Sequence, residues 1–345
     1  MSELSGLATG IGSLPYKDPE QALDLIFKYS PDIPFWPQLP KRDVREGMVA
    51  QFSENLPYLK VAPEGLSFSA VSARERELEL FYERIIAADI DYFKISEGFA
   101  AGLLEFYRRL KKEKLESVKF IKCQITGPFT FAASIKDEGG IALLHDTVFM
   151  QVILKGLLMK ALWQIKLFKE FGKKMIMFID EPYLGCFGSA YTPINRIDVV
   201  NGLSELASGI KSQGVLTGAH CCGNTDWSIF TDIKALDIIN FDAFDFQDKF
   251  LLYADDLKGF LARGGIICWG IVPTQSFSGS ESPDLLAEKL KDGINTLVKK
   301  GLDRDLLQDQ LLISPACGLG ALEPEKAEKI FKLLAETSAF IRKSP

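Results

Sequence analysis

Histidine is nearly absent from this chain: His145 and His220 are the two in 345 residues, so any imidazole chemistry must use one of them. Basic side chains are outnumbered, 40 against 46 acidic ones. The resulting net charge of −6 excludes a general binder of nucleic acid or of anionic membranes. No N-terminal stretch has the basic, apolar, small-residue order of a secretory signal. The most apolar long segment, Thr147 to Trp163, is broken by Lys155 and Lys160 and follows a helical period. It predicts a buried helix rather than a membrane span. Cysteines number six, and without a secretory signal they indicate a reducing, cytoplasmic setting with no disulfides. Low-complexity runs, internal repeats and linker-like shifts in composition are also missing, which predicts a single domain over 1–345.

What recurs is a short apolar run ending in a turn and followed by an amphipathic helix. Eight such runs stand at Leu7–Pro15, Pro34–Pro40, Val118–Pro128, Lys174–Pro182, Val215–Cys222, Asp237–Phe244, Gly265–Thr274 and Leu311–Leu319. Most are apolar throughout, as parallel strands covered on both faces should be. Asp18-Pro19, Thr192-Pro193 and Ser282-Pro283 each place a capping side chain before a proline suited to the first helical turn. Gly214 and Gly301 fall where a left-handed residue would end the second and third of those helices. The fold class expected is α/β, a single (β/α)8 TIM barrel whose loop after strand 2 is elaborated over residues 41–117 with extra helices and a hairpin. An open doubly wound sheet would also accommodate eight parallel strands. Both folds gather ligands at the carboxyl ends of the strands.

Those ends carry chemistry. The fifth run closes in His220-Cys221-Cys222-Gly223, and residues two apart on a strand face the same way. His220 and Cys222 should therefore point together into the mouth, with Cys221 turned away. Cys317, at the end of the eighth run, supplies a second thiol, and Asp242, at the end of the sixth, a carboxylate. One imidazole, two thiolates and an oxygen suit tetrahedral zinc. Ligands drawn from separate strands fit a catalytic site with an exchangeable position better than a structural staple. The plainer reading of each residue alone is a small buried hydrophobe for cysteine and a satisfied core histidine. The fourth run ends in Asp180-Glu181-Pro182, where buried carboxylates demand donors or cations. Asp180 there either caps a turn or captures a ligand ammonium. Ile11-Gly12-Ser13 closes the first run; it lacks the third glycine of a dinucleotide fingerprint, but its free amides and the Ser13 hydroxyl suit a carboxylate.

Taken in order, Ile11-Gly12-Ser13-Leu14-Pro15, Ile125-Thr126-Gly127-Pro128, Ile179-Asp180-Glu181-Pro182, His220-x-Cys222 and Pro315-Ala316-Cys317-Gly318-Leu319 resemble the uroporphyrinogen decarboxylase and methionine synthase superfamily. The resemblance spans nearly the whole chain. It is closest to the catalytic C-terminal half of cobalamin-independent methionine synthase, while His220-Cys221-Cys222-Gly223-Asn224-Thr225 is similar to the methylcobamide:coenzyme M methyltransferases. It implies zinc on His220, Cys222, Cys317 and a carboxylate at Asp242. It also implies a homocysteine carboxylate held at Ser13 and an amine at Asp180. Three departures stand out. No N-terminal half for folate polyglutamate is present, and Trp269 to Thr274 lacks the histidine that protonates the folate leaving group in that family. The usual glutamate ligand is an aspartate here. A further homocysteine-contacting glutamate has Gln38 and Glu46 as its nearest candidates.

The function implied is zinc-dependent methyl transfer from methylcobalamin, or from a corrinoid protein carrying it, to homocysteine, giving methionine. A coenzyme M-type methyltransferase and a uroporphyrinogen decarboxylase-like enzyme are the alternatives.

Overall fold

Strands covered on both faces need no polar side, and the apolar runs behave accordingly in the computed structural model, which describes residues 3–63, 65–69, 75–189 and 194–343. Seven runs form one curled, wholly parallel sheet. Its first strand is β1 (Leu7–Ala8). A separate antiparallel hairpin, β2 (Leu59–Ala62) and β3 (Gly65–Phe68), lies within the long second loop. The main sheet resumes with β4 (Phe120–Thr126), β5 (Lys174–Asp180), β6 (Leu216–Cys221), β7 (Ile238–Phe241), β8 (Ile266–Val272) and β9 (Leu311–Pro315). The order across the sheet is β1-β9-β8-β7-β6-β5-β4, so the last strand lies between its predecessor and the first. Every residue of β4 and β8 is buried.

The second run corrects the expectation of eight strands. Residues 34–40 form no strand; they meet the sheet through two isolated parallel bridges, Phe35 to Lys122 and Ser13 to Gln38. The Lys122 amide donates to Pro34 O at 3.0 Å and the Leu14 amide to Gln38 O at 2.9 Å. Pro34, Pro37 and Pro40 have no N–H to give, so a continuous ladder cannot form there.

Of the three expected helix starts, one shows both the capping side chain and the proline, and a second shows the proline alone. Asp18 Oδ1 accepts from the Glu20 amide at 2.9 Å and opens the helix Pro19–Tyr29. Pro283 opens Pro283–Lys299, although Ser282 makes no side-chain cap. Thr192-Pro193 lies outside the described residues; the next helix, Arg196–Lys211, is capped by the Asn195 side chain on the Ile197 amide. Gly214 and Gly301 end their helices at φ +76° and +91°, a left-handed conformation that glycine adopts without strain. The apolar helix Thr147–Phe168 is a core helix: two thirds of its most apolar window, 67%, is buried inside the fold.

Candidate metal centre

In-register pairing assembles the site along one tier of the sheet. Thr126 on β4 pairs with Asp180 on β5, Asp180 with His220 on β6, His220 with Asn240 on β7, and Asn240 with Cys268 on β8. A single register thus sets a carboxylate, an imidazole and a carboxamide side by side at the strand ends. Cys222 follows β6 directly, and Cys317 lies just beyond β9.

His220, Cys222 and Cys317 converge so that one ligand atom from each lies within 4.8 Å of the others. His220 is 3% exposed, its Nδ1 is 2.5 Å from Asn240 Oδ1, and its Nε2 is buried without a hydrogen-bond partner among the described residues. Cys222 and Cys317 are half-buried, whereas Cys221 points into the core with its thiol 3.6 Å from Gly223 O. The alternation expected along β6 is therefore present. Hydrogen bonding between the two thiols splits their acidities: Cys317, which receives from Cys222 and lies beside His220, is drawn well below the usual thiol range, and Cys222 is pushed above it. Burial opposes charge on the His220 ring, but the sulfur of Cys317 and the Asp180 carboxylate outweigh it and raise its pKa.

The neighbouring carboxylates divide into a structural and a bare one. Glu181 accepts from the amides of Phe129 and Thr130 at 2.9 and 2.8 Å and from Thr130 Oγ1 at 2.6 Å, so it caps the helix Pro128–Ala133. Asp180 is 4% exposed, and its Oδ1 has no partner among the described residues. Burial pushes it up to about 6, with His220 and Lys122 opposing the rise. Capping thus belongs to Glu181, not to Asp180.

The Ile11-Gly12-Ser13 turn is held against the far side of the mouth. The Leu319 amide donates to Ser13 O at 2.9 Å and the Gly320 amide to Ser13 Oγ at 3.2 Å, two and three residues past Cys317. A Cβ at Gly318 would lie 2.3 Å from Ser13 Oγ, so a side chain there would displace that hydroxyl. The amides of Ile11, Gly12 and Ser13 donate to no acceptor among the described residues.

Asp242 is not drawn into the triad. Its Oδ1 accepts from the amides of Phe244 and Asp245, both at 2.9 Å, in the turn after β7, and burial lifts it to about 6. Gln38 instead packs on Gly12, where its Oε1 would be 2.5 Å from an added Cβ, and donates to Gln51 Oε1 at 2.9 Å. Glu46 is buried in an ion pair with Arg42, and its Oε2 has no hydrogen-bond partner among the described residues. His145 is exposed in the turn before the core helix, and Asp146, not His145, caps that helix through the Phe149 amide.

Two residues escape a reading of motifs. Lys122 is fully buried on β4, donates to Ile11 O at 2.6 Å and lies 4.5 Å from the Phe178 ring centroid. Burial lowers it to about 8, with the negative charge of Asp180 opposing. Asn240 is the other. A lysine and an asparagine in the middle of apolar strands are the signals that could have found them, since each must have a partner if buried.

No protein-family profile and no curated protein matches the chain. Among solved structures, XacCel5A is similar at 11% identity and a TM-score of 0.28, over 63% of this chain and 85% of that one. A likeness so slight carries no argument about fold or function.

Proposed function

We propose that this chain is a zinc-dependent thiol methyltransferase that moves a methyl group from methylcobalamin, or from a corrinoid protein carrying it, to homocysteine, giving methionine. The observation that carries this reading is the convergence of one imidazole and two thiols beside a buried carboxylate, Asp180, whose Oδ1 has no partner among the described residues. The donor set fits the metal: an imidazole whose Nε2 has no partner among the described residues, with two sulfurs, suits borderline-soft, tetrahedral zinc. His220, Cys222 and Cys317 would hold it, with the remaining position falling to Asp242, a water or the substrate sulfur. Bound there, zinc supplies a Lewis acid that keeps a substrate thiol, ordinarily titrating near ~8.5, deprotonated at neutral pH.

The protein's own groups orient the substrate. Asp180 accepts the ammonium of homocysteine, and the amides and hydroxyl of Ile11-Gly12-Ser13 receive its carboxylate. Lys122 buttresses that turn from below through Ile11 O. Asp180 disfavours coenzyme M, which has no ammonium to offer it and whose sulfonate its charge would repel. A decarboxylase-like role leaves Cys222 and Cys317 without a task. The donor follows from proton supply. Methyl-folate needs a proton on its leaving nitrogen, yet no histidine follows β8 and His145 is exposed on an outer turn. A cobalt(I) leaving group needs no proton. Segment 34–40, bridged to both edges of the sheet, serves in this reading as the eighth wall of a (β/α)8 barrel. Six free cysteines suit a reducing, cytoplasmic setting.

Zinc content tests this directly. Protein purified without chelator should carry about one zinc per chain, lost in both Cys222→Ser and Cys317→Ser, as a three-ligand protein site requires. Turnover of homocysteine should then depend on methylcobalamin and not on methyl-folate. Metal-free protein after zinc has been offered, or comparable folate-driven turnover, would overturn the assignment.

A further inference from the structure

Hydrogen bonds across four strands decide which nitrogen of His220 is free. The Asn240 side chain is 1% exposed, and its Nδ2 donates to Cys268 O at 2.9 Å and to Ser314 Oγ at 2.8 Å. Ser314 Oγ spends its own proton on Pro315 O at 2.9 Å, so toward Asn240 it must accept. A flipped amide would set its oxygen against the Cys268 carbonyl, two acceptors in contact with no proton between them. Asn240 therefore presents Oδ1, not Nδ2, to His220. Carboxamide oxygen only accepts, so His220 Nδ1 carries a proton, and in the neutral ring Nε2 keeps its lone pair. That lone pair sits on the nitrogen left buried without a hydrogen-bond partner among the described residues, on the ring that converges with Cys222 and Cys317.

We propose that Asn240, locked by Ser314 and by the Cys268 carbonyl, is a positioning residue that holds His220 in the Nδ1–H form with Nε2 aimed at a zinc ion. The inference rests on the metal reading above and adds a residue that the motif resemblance did not include. A partner behind the liganding imidazole fixes both the tautomer and the ring plane before metal arrives. Its loss characteristically costs 10–100-fold in metal affinity. Register places it: Asn240 is the β-ladder partner of His220, and Cys268 is the partner of Asn240, so the relay follows the sheet's own pairing.

Three variants separate positioning from packing. Asn240→Leu removes the acceptor at similar volume. Asn240→Asp keeps an acceptor for Nδ1–H while losing both donations, and Ser314→Ala loosens only the lock. Zinc affinity by chelator competition should fall about 10–100-fold in Asn240→Leu and hold within a few-fold in Asn240→Asp, although Asp also loses stability. Ser314→Ala should fall between them. Nitrogen-15 imidazole spectra of the zinc-loaded protein give a readout independent of affinity. Two histidines make it assignable, with His145→Gln removing the exposed one. The His220 pattern expected is protonated Nδ1 with Nε2 on the metal. Metal on Nδ1, unchanged affinity in Asn240→Leu, or an equal loss in Asn240→Asp would overturn the relay while leaving the zinc site standing. Wild-type protein that binds no zinc would overturn the metal reading and the relay with it. Should Asn240→Leu fail to fold, the wild-type spectrum and the contrast between Asn240→Asp and Ser314→Ala decide the question.

Discussion

Asp180 and Glu181 are adjacent carboxylates that burial drives in the same direction, yet only one of them is available to a ligand. Glu181 has three donors, while Asp180 Oδ1 has none among the described residues. An ammonium brought by the substrate would be its natural partner. Asp180→Ala is expected to weaken homocysteine use by about 10–100-fold, the equivalent of one charge-assisted hydrogen bond of ~1.5–3 kcal/mol. A thiol of similar length without an amine should be much less affected, and steady-state kinetics on both would show whether the losses differ. The buried lysines give a pH signature instead. Lys122 and Lys160 are both lowered by burial from 10.5 to about 8. Between those values the unfolded chain binds more protons than the folded one, so each contributes stability that rises with pH across that window. Buried thiols at Cys123, Cys221 and Cys268, pushed up by desolvation, pull the other way above pH 9. The clean readout is the difference in unfolding free energy between wild type and Lys122→Met, which should climb between about pH 8 and pH 10.5. A flat difference would mean that the Lys122 amine is not desolvated.

At the scale of elements, the turn from β4 into the helix Pro128–Ala133 depends on Gly127. A Cβ at that position would lie 2.2 Å from both Glu181 Cδ and Oε1, and Glu181 is the carboxylate that caps the helix. Gly127→Ala should cost about 1–3 kcal/mol by overpacking, seen as a lower urea midpoint at unchanged m-value. A variant as stable as its parent would show that the cap can shift freely. The same elements show how far motifs can be read without coordinates. Mostly apolar runs ending in turns marked seven strands, and strand alternation alone turned His220 and Cys222 one way and Cys221 the other. The run 34–40 was equally apolar, but its three prolines remove the ladder donors and leave only isolated bridges. Asp180 and Glu181 could not be told apart, because what separates them is the end of another helix. Lys122 and Asn240 are polar residues in apolar strands, but no motif singled them out. Their partners, Ile11 on one side and Cys268 with Ser314 on the other, come from segments that no local pattern connects.

For the whole molecule, the convergence of His220, Cys222 and Cys317 joins β6 to the loop after β9, and that loop is itself tied to the first turn of the chain through Ser13. Zinc bound there would bind the folded state alone, and at 1,000 times its dissociation constant it would add about 4 kcal/mol. Chelation should therefore lower the thermal midpoint, and readdition should restore it. Unchanged melting after complete metal removal would place the metal elsewhere or nowhere. The strand order has a further consequence. β9 is the last strand in the chain and lies between β8 and β1, so Cys317 can meet His220 and Cys222 only after the C-terminal part of the chain has been made and inserted. Pairings between such distant segments form slowly. A chain still being synthesised holds His220 and Cys222 without their third partner, and the two thiols remain separate, open to alkylation or oxidation. Their protection from such reagents is then a clock for the closing step of folding, readable by pulsed thiol labelling as the last strand docks.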